Sequence, residues 1–317
     1  MIKKIAWGTS KLLKMYLENN KSNQFSYCID DFSRQKSIYG LPIVKSNILK
    51  KEKRGSFQIV IFAVSNRSLQ EISQKLNQMG ISYSQDFIYY SDFFYKQFLA
   101  KAKKNLNIKF NPQTYKYALS YTLNSSTLIH TTILGTWLFL DLLKATSTIK
   151  GSIAEVGIFQ GGNALCALHF TANNKHHKKF YLLDSFEGFA KPSFFDPQKC
   201  KKGDYKIETT YQQIVDTFAP FNNTKLIKGF VPMAFKQIPS NKKFSLVFYD
   251  CDLYQPALDS FEYFWPKITK GGYLLIHDYH AEKGGFEGVR QATDEFFKNK
   301  KVSINSFYEN TMAVIKK

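Results

Sequence analysis

Short, nearly unbroken apolar runs recur along the chain, separated by stretches in which apolar residues return every three or four positions. Lys4–Trp7 and Phe25–Ile29 are runs of strand length, and Phe57–Val64 is apolar at every position but Gln58. A continuous run of that kind suits a parallel strand covered on both faces. Lys11–Asn19, after Gly8-Thr9-Ser10, predicts a helix. Ser68–Met79 predicts another, with Leu69, Ile72 and Leu76 at helical spacing and Gly80 as the stop. Strands alternating with helices over residues 1–92 predict a small parallel-sheet α/β domain. Residues 93–150 read as helical and connecting, with a break at Asn111-Pro112 and an apolar helix over Leu128–Leu143.

The rest of the chain shows seven strand signals: Ile153–Gly157, Phe180–Asp184, Lys225–Lys228, Phe244–Asp250, Gly272–His277, Val302–Phe307 and Met312–Ile315. Helices are predicted over Asn163–Ala172, Pro256–Ile268 and Glu287–Phe297, the second with proline in its first turn, where no N–H is needed. Only Tyr308–Thr311 separates the last two strands, too short for a parallel crossover, so they form an antiparallel hairpin. The expected fold class is therefore α/β, a Rossmann-like seven-stranded sheet ending in a hairpin and preceded by a smaller Rossmann-like domain. The expected domains are 1–95, a helical connector over 96–150, and 151–317.

Composition narrows the function classes. The chain has 317 residues, 44 Lys+Arg against 25 Asp+Glu, and a net charge of +19. Residues 1–110 hold 19 basic and 7 acidic side chains, so an anionic ligand there is one reading and a solvated lysine surface the other. Only four of the basic residues are Arg, the side chain that reads base edges and grips phosphate bidentately, so no nucleic-acid partner is expected. The longest apolar stretch, Ile133–Leu143, is about half the length of a membrane span. No apolar segment of signal-peptide length opens the chain, so a cytoplasmic protein is expected. Cys28, Cys166, Cys200 and Cys251 are too scattered for a paired-thiolate metal motif and read as reduced.

Three places carry candidate chemistry. The segment Ala154-Glu155-Val156-Gly157-Ile158-Phe159-Gln160-Gly161-Gly162-Asn163 sets an acidic residue and three glycines around a strand–helix turn, so that backbone can approach a ligand at a helix N-terminus. The next strand ends in Asp184-Ser185, where a carboxylate can accept both hydroxyls of a ribose. The apolar strand Phe244–Tyr249 then ends in Asp250-Cys251-Asp252, and its neighbour ends in His277-Asp278-Tyr279-His280. Ligands of an open parallel sheet bind at the carboxyl ends of its strands, so Asp250, Asp252, His277 and Asp278 converge. Three carboxylates together repel, and a divalent cation relieves them. In the first domain the turn holds Gly8 alone, without the G-x-G-x-x-G of dinucleotide binders.

The segments IAWGTS, YCIDD, YGLPIV and IVIFAVSN resemble the small Rossmann-like N-terminal domains of bacterial sugar-modifying enzymes, in which the first turn can hold a nucleotide sugar; a purely structural role is the other reading. Over about residues 150–300, EVGIFQGGNA, LLDSFEGF, FYDCDLYQPALDSFEYFWPKITKGGYLLIHDY and GVRQATDEF resemble the macrocin O-methyltransferase (TylF/MycF-type) family, class I S-adenosylmethionine-dependent enzymes whose sheets end in such a hairpin. The resemblance implies methyl transfer from S-adenosylmethionine to a hydroxyl of a sugar or nucleotide-linked sugar, in glycan or secondary-metabolite synthesis, by a homo-oligomer. It implies that Glu155, Gly157, Gly161, Asp184 and Ser185 bind the cofactor. Asp250, His277 and Asp278 would hold Mg²⁺, and Asp252 would take the proton. One departure stands out: the family has two aspartates where this chain has His277-Asp278. Imidazole suits Mn²⁺, Fe²⁺ or Zn²⁺ better than Mg²⁺. Either the metal differs, or His277 is not a ligand, or the site is metal-free with His277 or His280 as base. The rival function is a non-catalytic nucleotide-sugar-binding scaffold. Glu187–Tyr211 reads either as a lid whose Phe189, Phe194, Phe195 and Tyr205 stack on a sugar or as an ordinary surface loop.

Overall fold

A computed structural model describes residues 2–20, 24–174, 178–280 and 285–317. The chain first runs through β1 (Lys3–Trp7), α1 (Lys11–Asn19), β2 (Phe25–Ile29), β3 (Ser37–Ile38), β4 (Leu41–Val44), β5 (Phe57–Ile61), α2 (Asn66–Gln78) and β6 (Phe87–Tyr89). These strands form one sheet in the order β3-β4-β2-β1-β5-β6, parallel except at the β3–β4 pair. Three helices follow: α3 (Tyr90–Leu106), α4 (Pro112–Asn124) and α5 (Ile133–Ala145).

The second sheet is built from β7 (Ser152–Val156), α6 (Gly162–Asn173), β8 (Phe180–Asp184), α7 (Tyr211–Phe218), β9 (Thr224–Lys228), β10 (Phe244–Tyr249), α8 (Tyr254–Phe264), β11 (Ile268–Ile276), α9 (Glu287–Phe297), β12 (Ile304–Phe307) and β13 (Met312–Lys316). Its order is β12-β13-β11-β10-β7-β8-β9, with β13 antiparallel to both neighbours, so the expected seven strands and closing hairpin are present. Each sheet reverses its strand order once, beside β1 and beside β7. Such a reversal sends the flanking connections to opposite faces and opens a crevice at the strands' carboxyl ends.

The helices between the sheets are core elements. One continuous apolar cluster runs from β1 and β5 through α3 and α5 to Leu246, Phe248, Leu275 and Val314 on the inner face of the second sheet. Trp137, fully buried on α5, is its hub. Tyr95 stacks on its ring at 5.1 Å and 2°, and Phe98, Phe110 and Tyr115 surround it at 5.2–5.6 Å. A second cluster fills the opposite face beneath α8 and α9, centred on Phe244, Phe261 and Phe264. Among the described residues no helix is long and apolar enough to cross a membrane.

Some element boundaries differ from expectation. The apolar helix starts at Ile133 rather than Leu128, because the Thr132 hydroxyl caps it by accepting from Gly135 N at 3.0 Å. The preceding residues instead meet Asn66, whose side chain bonds the backbone of Ser125, Thr127 and Ile129. Helix α8 begins two residues before Pro256 and ends in a 3-10 turn at Trp265–Lys267, so β11 starts at Ile268 rather than Gly272.

The closest backbone approach lies at the end of β7. Gly157 has φ +93°, and a Cβ there would sit 2.0 Å from the Asp250 carbonyl oxygen. Gly203 has a similar φ of +87° but open space around it. Gly203→Ala is therefore expected to cost about 1–2 kcal/mol from backbone strain alone. Gly157→Ala adds a backbone clash and is expected to cost more than about 3 kcal/mol. Urea denaturation midpoints check the difference, and equal costs would contradict the packing described.

Candidate active site

The crevice beside β7 opens into a cavity of about 570 Å³. Its floor is the end of β7 and β8. Gly157 N bonds Leu183 O and Asp250 N bonds Val156 O, both at 2.8 Å, which joins β7 to β8 and to the end of β10. Asp184 closes β8 and ties two loops: Oδ2 accepts from Phe159 N at 2.8 Å and Oδ1 from Phe186 N at 2.7 Å. Burial raises its carboxyl above the usual range despite those bonds. Ser185 lies next to it on the cavity wall, its hydroxyl donating to Gly188 O at 2.8 Å.

Among the described residues, the cavity wall includes Gly157, Asp184, Ser185, Asp250, Asp252, His277 and Asp278, but not Glu155, Gly161 or His280. Glu155 is 2% exposed beneath the floor. Burial, then Asp250 and Asp184, push its carboxyl well above the usual range, and Oε2 has no hydrogen-bond partner among the described residues. Gly161 has a packing reason to be glycine: a Cβ would strike the Phe218 ring at 2.6 Å. His280 sits away from the cavity, its backbone N–H on Thr311 O at 3.2 Å. Burial lowers its imidazole to about 4, with Lys101 and Arg290 adding to the effect. That placement gives the expected base role for His280 no contact with the site, because the chain turns away after Asp278 to meet the β12–β13 hairpin.

The carboxylates do converge. One ligand atom from each of Asp250, Asp252, His277 and Asp278 falls within 4.8 Å of the others. The His277 imidazole is the centre: Nδ1 lies 2.8 Å from Asp250 Oδ1 and 3.1 Å from Asp278 Oδ2, yet points squarely at neither, so this buried nitrogen has no aligned hydrogen bond among the described residues. Burial disfavours its charge, but Asp250 and Asp278 outweigh that and raise it to about 10. Asp252 and Asp278 oppose each other: burial and the Asp278 charge push the Asp252 carboxyl well above its usual range. Asp278 stays ionised against its own burial because His277 and Lys11 face it. Phe159, Tyr205, Asp252 and Asp278, all on the cavity wall, have φ between +51° and +63°. Non-glycine residues in that region carry strain, which collects where side chains must be aimed.

The wall also contains side chains that no motif announced. Lys11 opens α1, Val64 follows β5, His130 precedes α5, and Phe286 precedes α9. The Gly8 turn that breaks β1 was the one available hint for Lys11. The expected lid is half present. Phe189 and Tyr205 line the cavity with rings 4.9 Å apart, and Phe286 joins them. Phe194 instead points to solvent at 95% exposure, and Phe195 packs on Tyr254 at 4.5 Å.

A sheet of this order, with its crevice at the reversal and carboxylates on the two strands beyond it, defines a methyltransferase-type Rossmann fold. The chain belongs to the macrocin O-methyltransferase (TylF) family, whose model matches residues 138–314. Among solved structures it is similar to the O-methyltransferase NovP, at 14% identity over 72% of this chain and 99% of that one, with a TM-score of 0.51. It is also similar to the calicheamicin methyltransferase CalS11, at 17% identity over 66% of this chain and 94% of that one, with a TM-score of 0.50. No curated protein matches its sequence.

His277 and His280 are expected to titrate far apart in metal-free protein. His277, raised, stabilises the fold fully below pH 6.5 and loses that contribution as pH passes about 10. His280, lowered, stays neutral in the fold, so it subtracts stability as pH falls from 6.5 toward 4. Histidine NMR titration, with the two signals assigned through His277→Gln and His280→Gln, checks this; a midpoint near pH 6.5 for either one would contradict the burial and contacts described.

Proposed function

We propose that this chain transfers the methyl group of S-adenosylmethionine to a hydroxyl of a sugar or nucleotide-linked sugar, as a cytoplasmic enzyme of glycan or secondary-metabolite synthesis. The observation that carries the reading is the placing of the β7–β8 end and the carboxylate cluster on one cavity wall. The fold alone hosts many functions; the site decides. In this reading residues 1–95, 96–150 and 151–317 act as two domains and a packed connector.

The cofactor's place fits the residues around it. Gly157 has no room for a side chain, Asp184 stands at the end of β8, and Glu155 Oε2, without a partner among the described residues, lies beneath the same turn. Bound there, the cofactor supplies the methyl group. Asp184 and Ser185 would meet its ribose, and Gly157 would let backbone approach it closely.

The donor set likewise fits a divalent cation. His277 Nδ1 lacks an aligned partner, and its 2.8 and 3.1 Å separations from two carboxylate oxygens suit neighbouring ligands on one ion. Asp250, His277 and Asp278 would hold it, and an imidazole among carboxylates favours Mn²⁺, Fe²⁺ or Zn²⁺ over Mg²⁺. Such an ion acidifies a hydroxyl and fixes its direction.

The protein's own residues do the rest. Asp252, two residues past Asp250 and held at φ +63°, faces the cavity and accepts the hydroxyl proton. Burial and Asp278 push its carboxyl well up; positive charge among the carboxylates would favour its ionised form. Phe189, Tyr205 and Phe286 offer apolar faces to a sugar ring and exclude water. A non-catalytic scaffold would have no use for strained, buried carboxylates of this kind.

Release of S-adenosylhomocysteine in the presence of sugar or nucleotide-sugar acceptors tests the proposal. Asp252→Asn keeps the shape but cannot take a proton, so kcat is expected to fall about 10²–10⁴-fold with cofactor binding unchanged. An Asp252→Asn enzyme with wild-type kcat would contradict the base assignment. Absence of any release with wild-type protein would favour the scaffold.

A further inference from the structure

Asp278 is held from two sides. Its Oδ2 lies 3.1 Å from His277 Nδ1, and its Oδ1 accepts a 2.8 Å hydrogen bond from Lys11 Nζ. The two partners belong to different sheets. His277 follows β11, whereas Lys11 opens α1 just after the Gly8 turn, at the strand-order reversal of the six-stranded sheet, 267 residues away in sequence. The carboxyl edges of the two sheets thus meet at one carboxylate. The Lys11 side chain is 21% exposed and that of Asp278 only 3%, so the long stem brings its charge inward to a buried partner.

We propose that Lys11 is a positioning residue for the methyl-transfer site: it fixes the outer oxygen of Asp278 so that the inner one faces His277 and Asp250. The inference rests on the metal-assisted reading above and assigns the N-terminal sheet a part in it. The site is then assembled from both sheets, and the seven-stranded sheet alone would lack one of its fixing bonds. A carboxylate at the end of a strand can rotate about its side-chain bonds; a bond to its outer oxygen removes that freedom. Groups that hold a metal ligand from behind are worth about as much as a factor of 10–100 in metal affinity or activity. A geometric slip of about 1 Å at reacting groups costs about 10²-fold in rate.

Coulomb's law alone gives the opposite sign. Lys11 is a cation beside a proposed cation site, so removing its charge would tighten divalent-ion binding if attraction and repulsion were all that mattered. The sign of the effect therefore separates positioning from simple charge balance.

The test compares full-length wild type with Lys11→Met, Lys11→Gln and Lys11→Arg. Mn²⁺ affinity is measured by isothermal titration, and kcat, KM for S-adenosylmethionine and S-adenosylhomocysteine affinity are measured alongside. Lys11→Met is expected to weaken Mn²⁺ binding about 10–100-fold and to lower kcat by a similar factor, leaving S-adenosylhomocysteine affinity within about twofold. Lys11→Arg, which still donates to Asp278, is expected to recover most of the loss. Lys11→Gln keeps a neutral donor and reports the same sign should Lys11→Met fold poorly. Tighter or unchanged Mn²⁺ binding with unchanged kcat would overturn the proposal. If wild type binds no Mn²⁺ and works fully in excess EDTA, the metal assignment falls, and the kcat comparison alone decides Lys11.

Discussion

The site depends on one close approach. The end of β7 passes so near the end of β10 that only a glycine, Gly157, fits against the Asp250 carbonyl. Sheet order reverses at this pair of strands, so chains leaving β7 and β10 part toward opposite faces and leave a crevice between them. A side chain at Gly157 would spread the pair and move Asp250, and with it the carboxylates that depend on its position. The Trp137 cluster supplies the second constraint. It packs α3 and α5 between the sheets and so brings the carboxyl edge of the first against the mouth of the second.

Electrostatics explains why the cluster is tolerable without collapsing into repulsion. Three carboxylates on a mostly apolar wall would repel one another, but here burial and Asp278 push the Asp252 carboxyl well up toward its neutral form, while an imidazole raised to about 10 at His277 and an ammonium at Lys11 offset the remaining charge. The cluster is balanced as it stands, so a cation bound there, as proposed, would have to displace protons. Strain at Asp252 and Asp278 aims the carboxylates into the cavity, where a relaxed strand end would let them turn to solvent.

Much of this was legible in the residues. Period and run length located the strands of the second sheet, and the four-residue gap after Phe307 required the hairpin. Asp250, Asp252, His277 and Asp278 follow from the rule that ligands gather at carboxyl ends, and they do come together. What was not legible depends on packing between distant segments. Nothing local marks Lys11 as a partner of Asp278, or Phe286 as a neighbour of Phe189. The glycine at 161 looked like a ligand-binding residue, yet the Phe218 ring accounts for it. His280 shared a motif with Asp278, but the path of the chain carries it off toward Thr311. Motif spacing gives a residue's place on an element; only tertiary contacts decide whether it faces the cavity.

The account stands on the β7–β8 end being a cofactor site, and isothermal titration of S-adenosylhomocysteine into the wild-type protein tests that most directly. The account predicts one molecule bound per chain, with a rise in melting temperature that grows with ligand concentration; at a hundredfold excess over Kd the stabilisation is about 2.7 kcal/mol. No heat of binding and no melting shift at millimolar ligand would contradict it.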